Sequence, residues 1–209
     1  MQPPRSAPDE PPPSRPDRAT ADDPPRRRPD RPIAGEPPTL SDGVIVLRAR
    51  RPQDVDAITA ACQDPEIPRW TLVPSPYTRA HAVENLAQAA IEWRAGTAAH
   101  FLAVDRAGEL LGSFSLMEID RRRGSAEIGY WVAAPARRQG VATRAVRLLR
   151  DWAHEALGLR TVEILTDEAN AASRAVAERA GFRWTGRRTA NPRDPDGRQD
   201  YLVYASATR

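Results

Sequence analysis

Lysine is absent: all 31 basic residues are arginine, so every basic side chain is planar, permanently charged and able to grip an anion through two N–H groups at once. Cysteine is almost absent. Cys62 alone permits no intramolecular disulfide and no cysteine-based metal cluster, and His81, His100 and His154 lie far apart, so no metal is expected. No stretch of about eighteen apolar residues occurs, and the N-terminal "MQPPRSAPDEPPPSRPDR" lacks the apolar centre of a signal peptide. A disulfide scaffold and a membrane span are thereby excluded, and a cytoplasmic protein is expected.

What is present divides unevenly. The 209 residues, 40% hydrophobic and 28% charged, suffice for one domain with a full core. Most of the 21 prolines precede Thr39. Residues 1–40 offer little apolar surface to offset the entropy of ordering, so a disordered Pro/Arg-rich tail is expected there and a folded domain over residues 41–209. The formal net charge of +3, with 28 acidic residues interspersed, permits an anionic ligand without requiring one. No basic face with interleaved aromatics appears in the domain, which argues against a nucleic-acid partner.

Periodicity then assigns the elements. "GVIVLRAR" (43–50) reads as a strand, and "RPQDVDAITAACQDPEIPRW" as a helix that starts at a proline and stops near Pro65. "TRAHAVENLAQAAIEWRAG" reads as a helix capped by Thr78, with Ala82, Leu86, Ala89, Ala90 and Trp93 on one face. "DRAG" and "DRRRGS" break the next apolar runs at hairpin spacing, giving three antiparallel strands. A helix follows from Gly140 to near Gly158, then a strand "RTVEILTD", a helix "NAASRAVAERAGF" capped by Asn170 and closed by Gly181, and two last strands. Mixed α and β of this order, with one β-α-β crossover, predicts an α+β fold of about seven mostly antiparallel strands and about four helices.

The segment "EIGYWVAAPARRQGVATRAVRLL" holds the strongest functional signal. A helix start leaves about four N–H groups unpaired and carries partial positive charge, so it favours an anion such as phosphate. Close approach of that anion needs a loop without bulk, which Gly140 and Ala142 supply beside Arg137 and Arg138. The spacing is neither that of a Walker loop nor that of a dinucleotide turn.

Arg137-Arg138-Gln139-Gly140-Val141-Ala142 resembles the R/Q-x-x-G-x-G/A coenzyme A loop of the GNAT acetyltransferase superfamily. With "AEIGYWV" before it and "NAASRAVAERAGF" after it, the chain is similar to the RimJ/RimL branch from about Gly43 to Ala207. The resemblance implies the GNAT fold and acetyl-CoA as cosubstrate, without a metal. It implies a splayed strand whose backbone at Trp131, Val132 and Ala133 pairs with the pantetheine arm, and a loop, Arg137 to Thr143 (Arg137, Arg138, Gln139, Gly140, Val141, Ala142, Thr143), that takes the pyrophosphate. Asn170 matches the residue that hydrogen-bonds pantetheine, and also reads as a plain N-cap.

Moving an acetyl group from a thioester to an amine needs a neutral amine, a polarised carbonyl and a proton for the leaving thiolate. The resemblance places a backbone N–H from Trp131 to Ala133 at the oxyanion. The family's frequent acid, a tyrosine seven residues after the asparagine, is replaced by Ala177, which turns attention to Ser173 as acid or hydrogen-bond donor. Glu127 is the candidate base, with Glu118 and Tyr201 as weaker alternatives. Trp70 and Tyr77 lie where the family frames its acceptor, which is an amine-bearing small molecule or a protein N-terminus. His100 reads as structural and Cys62 as a small buried apolar residue. Members of the family dimerise, so a homodimer is one expected assembly. The missing tyrosine leaves a second reading, an acyl-CoA-binding GNAT-like regulator without turnover.

Overall fold

The computed structural model describes residues 35–189 and 200–208. The expected tail over residues 1–40 falls mostly outside the described residues. Leu40, the last residue of that stretch, lies in the sheet. Strand β1 (Leu40–Ser41) pairs with β2 (Val46–Ala49), and Asp42 closes the turn by accepting from the N–H groups of Val44 and Ile45.

After β2 come helices α1 (Val55–Ala61), α2 (Glu66–Trp70) and α3 (Arg79–Ala95), then strands β3 (Ala99–Val104), β4 (Leu110–Asp120) and β5 (Ser125–Val132). The remainder is α4 (Val141–Glu155), β6 (Thr161–Asp167), α5 (Ala171–Arg179), β7 (Arg183–Thr189) and β8 (Asp200–Ala207). Among the described residues eight strands and five helices stand beside the expected seven or so and four or so. The additional strand is the two-residue β1, and the additional helix is α2, which begins just past Pro65, where the sequence pattern ends its helix.

The expected helix ends are found where their chemistry is strongest. Thr78 Oγ1 accepts from the His81 N–H at 3.3 Å, and Gly96 closes α3 in the left-handed region. Asn170 Oδ1 caps α5 through the Ser173 N–H at 3.0 Å. On α3 the buried face is narrower than predicted, since Ala82 and Trp93 are buried whereas Ala90 is exposed.

The strands form one sheet in the order β1-β2-β3-β4-β5-β6-β8-β7. All neighbours are antiparallel except β5 and β6, which the α4 crossover makes parallel. Alternation divides the side chains between two faces. On one, Phe101, Phe114, Ile128, Val162 and Ile164 pack with Val146 and Leu149 of α4 and Ala177 of α5. On the other, Leu102 and Val104 meet Val55, Ile58 and Cys62 of α1 and its extension, and Ala82 of α3. The free thiol of Cys62 is a buried apolar member of this second cluster, as its sequence setting suggested.

Candidate active site

The site begins with a failure of pairing. β5 and β6 share only three rungs, Ser125–Thr161, Ala126–Val162 and Glu127–Glu163. Beyond them β5 stays paired with β4 to Val132, and β6 with β8 to Asp167, so the two strands diverge with one edge of each open. A cleft of ≈ 1040 Å³ enters this gap and extends from the start of α4 to the α1–α2 arm.

Which backbone groups face the gap follows from the antiparallel ladder. Ala133 donates its N–H to the Leu111 carbonyl at 3.0 Å. Because hydrogen-bonded pairs alternate along such a ladder, Trp131 also turns its N–H toward β4, while Tyr130 and Val132 direct theirs to the open edge. The close approach of the Trp131 carbonyl to Gly112, where an added Cβ would sit 2.5 Å from that oxygen, agrees with this orientation. Of the three residues expected to offer backbone to a pantetheine arm, Val132 alone turns its N–H to the open edge, as does Tyr130. Trp131 and Ala133 spend their N–H groups inside the sheet. A period-2 argument on the sequence could have separated them, had the register with β4 been known.

At the mouth of α4 the loop leaves room beside two arginines. Gly140, the N-cap, has φ 78, and Arg138 has φ 62, so two residues of one short loop lie in the left-handed region, a backbone form suited to making an anion-binding concavity of N–H groups. A Cβ at Gly140 would meet nothing within 4 Å, so the space above the loop is open. Gln139 props the loop by donating to the Pro135 carbonyl at 2.7 Å. The two arginines part company. Arg138 is exposed and lines the cleft. Arg137 donates through Nε to the Val132 carbonyl at 3.1 Å and lies 2.6 Å from Asp64 Oδ2, while its N–H goes to the Ala134 carbonyl. Its guanidinium ties the end of β5 to the α1–α2 turn.

Where β5 diverges from β6, a pair of hydroxyls meets. Tyr130 Oη lies 3.1 Å from Ser173 Oγ. The Tyr130 ring is stacked on Phe114, centroids 5.5 Å apart and planes at 11°, and burial pushes its hydroxyl up to about 12, so it stays protonated through any ordinary assay pH. Ala177, the position of the missing tyrosine, is 0% exposed in the main core. The chain thus brings a phenol to Ser173 from the strand instead of from the helix. The "GYW" of β5 carried that residue in plain view, but nothing in the sequence said that it would face α5.

The remaining candidates divide between the two ends of the cleft. Glu127 is 8% exposed, on the last paired rung, and lines the cleft on the α1 side of the sheet. Glu118 is exposed at a β4 bulge and outside the cleft, whereas Tyr201 of β8 lines it. Tyr77 is buried in the second cluster with its ring along the cleft wall. Trp70 is half-buried at the rim, its Nε1 donating to Glu66 at 3.2 Å and its ring 4.8 Å from the Arg69 guanidinium. His100 is structural: Glu92 can only accept, so Nε2 donates to it at 2.5 Å, and Nδ1 meets Ser115 Oγ at 2.8 Å. Asn170 lines the cleft while serving as the α5 cap. No three-residue group able to hold a metal occurs among the described residues, and no helix there is long and apolar enough to cross a membrane.

Residues 45–183 match the acetyltransferase (GNAT) domain family. The chain belongs to the GNAT acetyltransferase family. It is 44% identical over 75 residues to YdaF of Bacillus subtilis (strain 168), named as a candidate ribosomal N-acetyltransferase; that stretch covers 36% of this chain and 41% of the relative, less than half of its length. Mycobacterium smegmatis RimJ in complex with CoA-disulfide superposes with a TM-score of 0.74 at 24% identity, over 82% of this chain and 88% of that one. RimL, a ribosomal L7/L12 alpha-N-protein acetyltransferase in complex with coenzyme A, gives 0.71 at 22%, over 80% and 96%. At such identities these two structures establish the shared GNAT fold.

Proposed function

We propose that this GNAT chain transfers an acetyl group from acetyl-CoA to a primary amine, on a protein N-terminus or a small molecule, by direct attack. The observation that carries the reading is the gap between β5 and β6 after three rungs, with the Gly140 loop at one end and the Tyr130–Ser173 hydroxyls where the strands part. The residues present fit the cosubstrate: the open space above Gly140 accommodates phosphate, and the free β5 edge accepts an extended amide-bearing arm as a further strand would.

Arg138, Gln139, Gly140, Val141, Ala142 and Thr143 would hold the pyrophosphate through backbone N–H groups at the α4 start, with Arg138 adding charge. Arg137 keeps the loop in place. Tyr130 and Val132 would pair with the pantetheine arm, and Asn170 would lie alongside it. Bound acetyl-CoA supplies an activated thioester carbonyl. An N–H of the open β5 edge would stabilise negative charge on that carbonyl oxygen as the amine adds. Glu127, on the α1 side of the sheet, would take the amine proton directly or through water. Ser173 would give its proton to the departing sulfur, with the Tyr130 hydroxyl holding Ser173 in orientation. Trp70 and Tyr77 would frame the acceptor.

Kinship with YdaF over 75 residues supports an amine on a ribosomal protein as an acceptor class. The test is acceptor-dependent release of free coenzyme A thiol together with mass detection of the acetylated product, run over peptides and small amines. Release that follows the acceptor supports the transferase. Tight coenzyme A binding with no release for any acceptor would replace it by a binding protein.

A further inference from the structure

Two arginines near the end of β2 have opposite surroundings. Arg48 is forked onto Asp54, with both N–O distances 2.8 Å. Arg50 lines the cleft and has no carboxylate in ion-pair reach among the described residues. Its Nη2 donates to Ser113 Oγ at 2.8 Å, its Nη1 to Asn85 Oδ1, and its Nε is buried with no partner. Both partners are neutral. Glu92, whose charge reaches Arg50, has its oxygens on His100 and Gln88.

Withdrawing a guanidinium from water without a counter-ion is costly, and an anionic ligand that pairs with it offsets that cost. Burial lowers Arg50 to about 10, so it remains a cation at neutral pH. Ile58, Cys62 and Tyr77 wall the same part of the cleft, and such apolar walls strengthen attraction to an anion. Ser113 faces Trp131 across the β4–β5 ladder. The guanidinium is therefore on the α1 side, roughly one to two strand spacings, about 5–10 Å, from the open β5 edge where transfer would occur. On an extended peptide that span reaches from the amine to the side chain of the second residue.

We infer that Arg50, held by Asn85 and Ser113, is the subsite for a carboxylate on the acetyl acceptor, so that the preferred substrate is an amine followed by an acidic group, as in a peptide with Asp or Glu at its second position. This rests on the transferase reading for its place in the reaction, but not for the binding itself. The charge asks for an anion, the planar fork matches a carboxylate, and the distance separates that group from the reacting amine.

The matched probes are Ala-Glu-amide and Ala-Gln-amide, which differ by one charge. Their affinities are measured by calorimetry with saturating coenzyme A, and their kcat/KM values with acetyl-CoA. The acidic peptide is expected to bind at least about tenfold tighter, a difference of about 1.4 kcal/mol. Arg50→Gln should erase the difference, Arg50→Lys should keep part of it, and Ser113→Ala should reduce it. If Arg50→Gln fails to fold, the wild-type comparison alone decides. Equal affinity for the two peptides, or no binding of Ala-Glu-amide at millimolar concentration, overturns the subsite. Equal kcat/KM for both overturns it while leaving the transferase intact. Selective binding without acetylation of either peptide preserves it and removes the transferase.

Discussion

Ser173 and Tyr130 form the smallest unit with a chemical consequence. Removal of a positioned general acid costs on the order of 100-fold in rate, so Ser173→Ala should lower kcat by about that factor while KM for acetyl-CoA changes little. Tyr130→Phe removes only the hydroxyl that meets Ser173 at 3.1 Å. It should lower kcat by a smaller factor, and the double variant should be no slower than Ser173→Ala, because the two act as one unit. Steady-state kinetics of the three variants is the check, and independent, multiplying losses would separate the two hydroxyls. Ser173 was singled out from its motif position. Its meeting with Tyr130 was not foreseen, because a residue's facing partner across a sheet gap is decided by register.

At the level of elements, the glycine loop and the arginine clamp should fail in different ways. Gly140→Trp would fill the open space above the α4 start, so coenzyme A affinity should drop on the order of 100-fold, about 3 kcal/mol. Arg137→Gln loses the charged hydrogen bond to the Val132 carbonyl and the ion pair with Asp64, which together join β5 to the α1–α2 turn. Charged hydrogen bonds of this kind contribute about 1.5–3 kcal/mol, so its main effect should be on stability, read as a lower midpoint in urea. Calorimetric titration of coenzyme A into both variants distinguishes them. Sequence spacing identified the loop and its glycine, because a helix start and a small residue are local features. It treated Arg137 and Arg138 alike, and only the position of Asp64, seventy-three residues away in sequence, separates their roles.

Across the whole molecule, core and site share side chains. Phe114 is 0% exposed, belongs to the main core and carries the Tyr130 ring. Phe114→Ala should cost about 3–5 kcal/mol by leaving a cavity, and should also reduce kcat by freeing Tyr130. Acid stability follows from carboxylates held charged. Burial works against the charge on Asp54, but the bonds from Arg48 and the Arg51 N–H outweigh it, and the carboxyl sits below its ordinary value. Glu92 is lowered mainly by its bond from His100. A carboxyl lowered in the folded state adds stability that is present above its unfolded value, about 4, and is lost as pH falls through the folded one. Urea midpoints should accordingly decline below about pH 5, and Asp54→Asn should flatten that decline.

The sequence by itself determined what local chemistry can determine: the helix caps at Thr78 and Asn170, the hairpins at "DRAG" and "DRRRGS", the glycine at the start of α4, and the α+β class with the crossover through α4; the second crossover, from β6 through α5 to the parallel β7, was not foreseen because β8 lies between those strands. Tertiary structure decided what depends on residues far apart in the chain. The insertion of β8 between β6 and β7, the three-rung limit of β5 with β6, the meeting of Tyr130 with Ser173 and the unpaired charge of Arg50 all arise from sheet order and register. Periodicity tells which face a side chain takes, whereas the neighbour it meets on that face is chosen by the packing of the whole sheet.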